Sequence, residues 1–297
     1  MTERKIKMNN ILEIKNLNKS YKKFELKNIN LTIPAGYIMG YVGQNGAGKT
    51  TTINMINHIC KYKEGSIKVD GITYEENPVK YKESIAFVGD ESFFYPSAKI
   101  SVIRKTLKDF YPTFNEDKFN SFIKKYNLPE KQKIDYFSRG MKVKLMFAAT
   151  FSRDSKLLIL DEATNGLDPV VREELLNDLQ EYIENGSRSI LFSTHVLSDL
   201  EEIADYITFI DEGRILISKP KDEMLEDYLL VKGEPGQITG ENSKYLIGIG
   251  HKAYNFEALI KTEDAEKIGS GFVIEKPEIS QIMLHSIKER RQHEKRN

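Results

Sequence analysis

The sequence predicts an α/β fold built on a mainly parallel sheet, and three observations carry that expectation. Short β-type runs alternate with helical patterns over residues 1–220. A glycine-rich segment, Gly43–Thr50, follows one buried strand and precedes a helical stretch. A second apolar run, Leu157–Leu160, ends in the acidic pair Asp161 and Glu162, at the strand end where α/β sheets place their ligands.

The elements follow in order. Ile29, Leu31 and Ile33 alternate with polar residues ahead of the turn Pro34-Ala35-Gly36, and Tyr37–Val42 reads as a buried strand. Thr51–Ile59 reads as a helix, and Ile85–Val88 and Ile190–Phe192 as further strands. Between about 92 and 153 the pattern becomes helical, with Phe119, Phe122, Ile123 and Tyr126 on one face and a further helix over Met141–Ser152. Asp168 before Pro169 is an N-cap signal, Gly186 a helix stop, and Val171, Leu175, Leu179 and Ile183 the expected buried stripe between them. Tyr206–Ile210 leads through Asp211-Glu212-Gly213-Arg214 into a hairpin with Ile215–Ser218. Lys219-Pro220 and the glycines and proline at Gly233, Pro235, Gly236 and Gly240 mark a boundary.

Two regions result: 11–220, with a helical subdomain at about 92–153, and an α+β appendage at 221–297. The appendage carries strand-like runs at Tyr245–Ile249, Phe256–Ile260 and Gly271–Ile274, then a helix from Pro277. Its stripe of Ile279, Ile282, Met283 and Ile287 is expected to bury against those strands or a dimer partner, stabilising or regulating the dimer without taking part in the chemistry. The basic run Lys288–Asn297 is expected to be solvated or near anionic headgroups.

Composition bounds the function. A chain of 297 residues can close a core without staples, and 40% hydrophobic with 30% charged residues is a soluble globular mixture. The 44 basic and 44 acidic side chains cancel, removing the broad electrostatic footprint of a nucleic-acid binder. No run approaches the roughly 20 apolar residues of a bilayer span, and Met1–Lys5 leads into no apolar core of a secretion signal. A single cysteine, Cys60, excludes an internal disulfide framework and fits a reducing cytosol.

Gly43-Gln44-Asn45-Gly46-Ala47-Gly48-Lys49-Thr50 satisfies the phosphate-loop pattern in its required strand-to-helix context. Glycines let backbone N–H groups converge on phosphate oxygens, the helix N-terminus adds a favourable dipole, Lys49 neutralises the β- and γ-phosphates, and Thr50 suits magnesium. Asp161 suits the same magnesium shell, and Glu162 the base that orients the attacking water.

The ordered set of this loop, Asp135-Tyr136-Phe137-Ser138-Arg139-Gly140-Met141, Asp161-Glu162, Asn165-Gly166-Leu167-Asp168 and Ser193-Thr194-His195 resembles the nucleotide-binding subunit of an ATP-binding cassette (ABC) transporter over residues 11 to about 220. The resemblance implies a phosphate-loop NTPase of ABC type with a helical insertion and an antiparallel N-terminal β subdomain, binding ATP and Mg2+. It implies that Gly43, Asn45, Gly46, Ala47, Gly48, Lys49, Thr50 and Thr51 hold the nucleotide and that Tyr21 stacks on adenine. Ser138 and Gly140 would address ATP of an opposite subunit, Asp168 would serve a dimer-contacting loop, and His195 would hold the attacking water beside Glu162.

Four positions depart from the family pattern: Arg139 and Met141 in the signature segment, Asp90 where a glutamine is usual, and Ala163 in place of a proline. Magnesium contact from Asp90 is the expectation that this departure tests. The variations are similar to Gram-positive exporter subunits for antibiotics, lantibiotics or amphipathic peptides. A separate transmembrane permease, a second copy or paralogue as dimer partner, and a peripheral place on the cytoplasmic membrane face follow from the resemblance. The alternative is a soluble ABC ATPase acting on ribosomes or DNA. The single motif set, the missing coiled coil and the zero net charge argue against it, and Glu162 with His195 argues against a non-hydrolytic regulator.

Overall fold

The computed structural model describes residues 9–252 and 254–296. The reading of the N-terminal leader segment lies outside the described residues. The chain runs through β1 (Asn10–Ser20), β2 (Glu25–Pro34), β3 (Ile38–Val42), α1 (Lys49–Ile56), β4 (Glu64–Val69), α2 (Pro78–Glu83) and β5 (Ile85–Val88). Three helices follow, α3 (Ile100–Phe110), α4 (Glu116–Lys125) and α5 (Arg139–Phe151). The chain then returns to β6 (Leu157–Asp161), α6 (Pro169–Ile183), β7 (Ser189–Ser193), α7 (Leu197–Ile203), β8 (Tyr206–Asp211) and β9 (Arg214–Pro220). It closes with α8 (Lys221–Asp227), β10 (Tyr228–Gly233), β11 (Ile247–His251), β12 (Phe256–Lys261), β13 (Val273–Glu275) and α9 (Ile279–Arg296).

The central sheet has the order β5-β6-β7-β3-β8-β9, parallel except for the antiparallel β8–β9 hairpin. β2-β1-β4 form an antiparallel sheet, and β11-β12-β10-β13 another. Alternation divides the central strands between two cores. Ile38 and Val42, Leu158 and Leu160, and Ile190 and Phe192 face the helices of 100–151. Met39 and Tyr41, Leu157 and Ile159, and Leu191 face α1 and the N-terminal sheet. A strand sandwiched between two apolar layers cannot alternate with polar residues, which is why these runs are continuously hydrophobic.

The C-terminal sheet is bound into the same scheme. Leu230 and Leu259 join the helical-side core with Ile279 and Ile282 of α9, while Val231, Ala258 and Ile260 face a smaller core of their own. The apolar stripe of α9 therefore packs within its own chain, with Ile279, Ile282 and Ile287 buried.

Several boundaries differ from the sequence expectation, each for a local reason. The helix expected over 51–59 spans Lys49–Ile56 and stops because His58 adopts φ 49°, leaving Ile59 exposed. The buried face of α6 is Leu175, Leu176, Leu179 and Tyr182, with Val171 and Ile183 at its margins. The strand expected from Tyr245 begins at Ile247, after a 3-10 turn over Ser243–Tyr245. β10 was not anticipated at all, although it is central in its sheet.

Phe147 is fully buried in α5, with its ring 5.2 Å from that of Phe151. Phe147→Ala is expected to lower unfolding free energy by ~3–5 kcal/mol, the usual cost of a large core truncation. A urea titration showing a loss below about 1 kcal/mol would contradict this packing.

Candidate nucleotide site

The site begins where β3 ends. All of β3 is buried, and the chain leaves it beside β8 so closely that a Cβ at Gly43 would stand 2.3 Å from the Ile210 carbonyl oxygen. Only glycine permits that exit. The loop then closes on itself, Ala47 N donating to Gln44 O at 3.0 Å. It is propped from outside by the β8–β9 turn, where Gly213 N donates to Ala47 O at 2.9 Å. Glu212 and Gly213 both have positive φ, 43° and 76°, the geometry of a tight hairpin of matching twist.

α1 starts immediately after the loop with no side-chain N-cap and no acidic residue in its first turn, so its N–H groups can meet an anion. Lys49 is buried and folds back, donating to Gly43 O at 2.7 Å and Gln44 O at 3.4 Å. Burial pushes its ammonium pKa down, against the pull of Glu162 and Asp161. A phosphate would replace carbonyl dipoles with a full countercharge.

Across the sheet, β6 delivers Asp161 and Glu162. Thr50 Oγ1 donates to Asp161 Oδ2 at 3.2 Å, and the buried Asp161 Oδ1 accepts no hydrogen bond. Burial pushes this carboxyl up. A hydroxyl beside a carboxylate with a partnerless oxygen fits a hard divalent cation, which takes oxygen ligands.

Glu162 sits at φ 56°, a left-handed conformation unusual for its type and of a kind that costs about 1–3 kcal/mol. Its backbone N–H donates to Ser193 O at 2.9 Å, tying the end of β6 to the end of β7. Its Oε2 accepts from Asn165 Nδ2 at 2.8 Å and from the His195 backbone N–H at 3.2 Å, and His195 Nδ1 lies 2.9 Å away. Oε1 lies 3.9 Å from Lys49 Nζ. The carboxylate is thus held from one side with its other oxygen turned toward the lysine, while the imidazole remains largely solvent-exposed.

The remaining candidates lie around this centre. Ser138 caps α5 by accepting from Met141 N at 3.2 Å, and Asp168 caps α6 by accepting from Val170 N at 2.9 Å. Within the chain, a Cβ at Gly140 would make only ordinary contact with Val171. Tyr21 is half exposed at the end of β1, its hydroxyl 3.8 Å from Cys60 Sγ. Asn45, Gly46 and Thr51 belong to the loop and the first turn of α1. Asp90 does not join Thr50 and Asp161: the structure places it in an ion pair with Arg139, which lies across Gly166. Two of the departures from the family pattern, Asp90 and Arg139, are therefore partners in a charge bridge to α5. Asp90 thus stands in the bridge to Arg139, while Thr50 pairs with Asp161.

Sequence reading missed Asn165 as a site side chain, although its position three residues after Glu162 in a turn was a usable signal. It also missed Asp199, buried under the site and accepting from Thr164 Oγ1 at 2.8 Å; its burial depends on α7 and has no local signature.

Gly43→Ala is expected to abolish nucleotide binding in a folded protein, because the added methyl must push the loop off Ile210. Gly236, with open space around its Cα, is the control for alanine. Fluorescent nucleotide titration showing wild-type affinity in Gly43→Ala would refute this account of the loop.

Comparison with known proteins matches residues 26–165 to the ABC transporter family model. The chain is 34% identical over 231 residues to the lantibiotic transport ATP-binding protein SrtF of Streptococcus pyogenes, covering 73% of this chain and 95% of that one. It is 33% identical over 213 residues to the bacitracin transport ATP-binding protein BcrA of Enterococcus faecalis, covering 70% and 69%. A solved ATP-binding subunit of an ABC transporter superposes with TM-score 0.68 at 26% identity, covering 72% of this chain and 91% of that one. The chain belongs to the ABC transporter family and is one of its ATP-binding, ATP-hydrolysing subunits.

Proposed function

We propose that two copies of this chain, or this chain and a paralogue, close around ATP and that hydrolysis drives a separate permease exporting peptide or antibiotic-like molecules. The observation that carries the reading is Glu162, held by Asn165 and His195 at the end of β6 with its free oxygen toward Lys49. In this reading residues 11–220 form the nucleotide-binding domain and 221–297 an accessory one.

Lys49 leaves Gly43 O for the β- and γ-phosphates, the N-terminus of α1 and the loop N–H groups hold the phosphate oxygens, and Tyr21 offers a half-exposed ring to the adenine. Glu162 accepts a proton from water attacking the γ-phosphorus, and His195 fixes the direction of that carboxylate. Thr50 and Asp161 would hold Mg2+, which neutralises charge developing on the β- and γ-oxygens when bound. Ser138 and Gly140 face solvent at the start of α5. The monomer does not require glycine at 140, which supports close approach by something outside the chain, read here as the partner's ATP.

No helix among the described residues is long and apolar enough to cross a membrane. ABC ATP-binding subunits work with transmembrane components, and a groove of about 320 Å³ lined by Phe87, Phe93, Phe94, Tyr95, Val102 and Arg153 supports a docking place for one. Phe93 is 61% and Tyr95 75% exposed, an unusual density of apolar surface beside the Asp90 loop. Docking there would hold the subunit at the cytoplasmic membrane face. The substrate class rests on likeness to the lantibiotic and bacitracin subunits.

Glu162→Gln is expected to retain ATP binding, to lower turnover by ~10²–10⁴ and to accumulate as an ATP-bound dimer. Steady-state phosphate release at the wild-type rate, with only monomer by size exclusion in ATP, would place the base elsewhere. Phe93→Asp is expected to keep the ATPase rate of the isolated subunit while losing co-purification with the permease; normal co-purification would move the docking surface.

A further inference from the structure

The C-terminal helix α9 reaches back to the phosphate loop. Its position is fixed at Gly248 of β11, whose carbonyl lies 2.7 Å from the buried His285 Nδ1 and whose N–H donates to Glu289 Oε2 at 2.6 Å. The next residues of the helix are Arg290 and Arg291. Arg290 donates to Glu212 Oε2 at 3.0 Å and forms an ion pair with Asp211, itself only 2% exposed. Arg291 donates to Gln44 Oε1 at 2.9 Å and lies 4.0 Å from Asp211 Oδ1.

These partners are the groups that shape the loop. Asp211 and Glu212 belong to the turn whose Gly213 holds Ala47 O, and Gln44 is the loop residue whose carbonyl accepts from Ala47 N and Lys49 Nζ. The arginines therefore grip the loop twice, directly at Gln44 and through the turn that props it. Arg290 also holds the Glu212 carboxyl below the usual carboxylate range, keeping that contact ionic.

We propose that Arg290 and Arg291 form a clamp by which the C-terminal segment positions the phosphate loop and sets its affinity for ATP. They are positioning residues, acting through Gln44 and the 211–214 turn, and the inference rests on the reading that Gly43–Thr50 binds the nucleotide. When Lys49 leaves Gly43 O and Gln44 O for phosphate, the loop loses the cross-links that its lysine makes, and the clamp helps hold its shape. Linkage makes the effect reciprocal: if docking of α9 raises ATP affinity, ATP must stabilise docking of α9 by the same factor.

The test uses the full chain. Arg291→Gln, a change at a half-exposed side chain, is expected to weaken binding of a fluorescent ATP analogue by about fivefold or more, within the usual range of coupling between sites. Gln44→Ala, which keeps the arginine charge but removes its contact, should weaken binding similarly, and the double variant should add little further. ATP should slow amide hydrogen exchange across α9 in the wild type and lose much of that effect in Arg291→Gln. Wild-type affinity in both single variants, fully additive losses, or α9 exchange indifferent to ATP would overturn the clamp. Lys49→Ala serves as the separate control: if it binds ATP normally, the underlying assignment of the nucleotide loop fails instead.

Discussion

The close approach of Gly43 to the Ile210 carbonyl is the constraint from which the rest of the site follows. It fixes where the chain leaves β3, and β3 lies between β7 and β8 in the central sheet. With that exit fixed, the loop must turn over the ends of β7 and β6, which deliver His195, Asp161 and Glu162 onto the same edge. The two apolar layers that bury β3 and β6 on both faces keep those strand ends in register, so the geometry at the edge is inherited from the core.

The electrostatics of the edge are those of a site prepared for a polyanion and a cation. Lys49 is buried with its charge disfavoured by desolvation and only partly compensated by Glu162 and Asp161, while Asp161 is disfavoured by burial and by the like charge of Glu162 and only partly compensated by its hydrogen-bond partners and Lys49. Groups held in this way gain when phosphate and metal arrive, because the new partners supply the countercharge that burial removed. Glu162 differs: its left-handed backbone and the donors around Oε2 fix the carboxylate's direction. The C-terminal segment, joined to the main core through Leu230, Leu259, Ile279 and Ile282, places its arginines at the opposite side of the same loop. The nucleotide loop is thus supported by the sheet, the β8–β9 turn and α9 together.

Most of the central fold was legible because its signals are local. The strand-loop-helix at 38–56, the proline-led helix after Asp168 and the Asp211–Arg214 hairpin each depend on residue types within a few positions. The lysine, the two carboxylates and His195 were found for the same reason. The misses are long-range. β10 reads as Leu229-Leu230-Val231, an apolar run whose burial on two faces comes from α9 and from Phe256 of the neighbouring strand. The Asp90–Arg139 pair joins positions 49 residues apart and α9 meets Gln44 across 247, separations that periodicity and motif spacing do not encode. Expecting a basic solvated tail from 288 onward was reasonable from charge alone, but Arg290 has buried Asp211 as its partner.

The central claim is that ATP lies between Lys49 and Glu162, with Glu162 directing the water. A crystal structure of the Glu162→Gln variant with ATP and Mg2+ tests it most directly. The account predicts Lys49 Nζ moved from Gly43 O onto the β- and γ-phosphates, with an ordered water between the γ-phosphorus and the side chain at 162. A γ-phosphate remote from position 162, with Lys49 still bonded to Gly43 O, would contradict it.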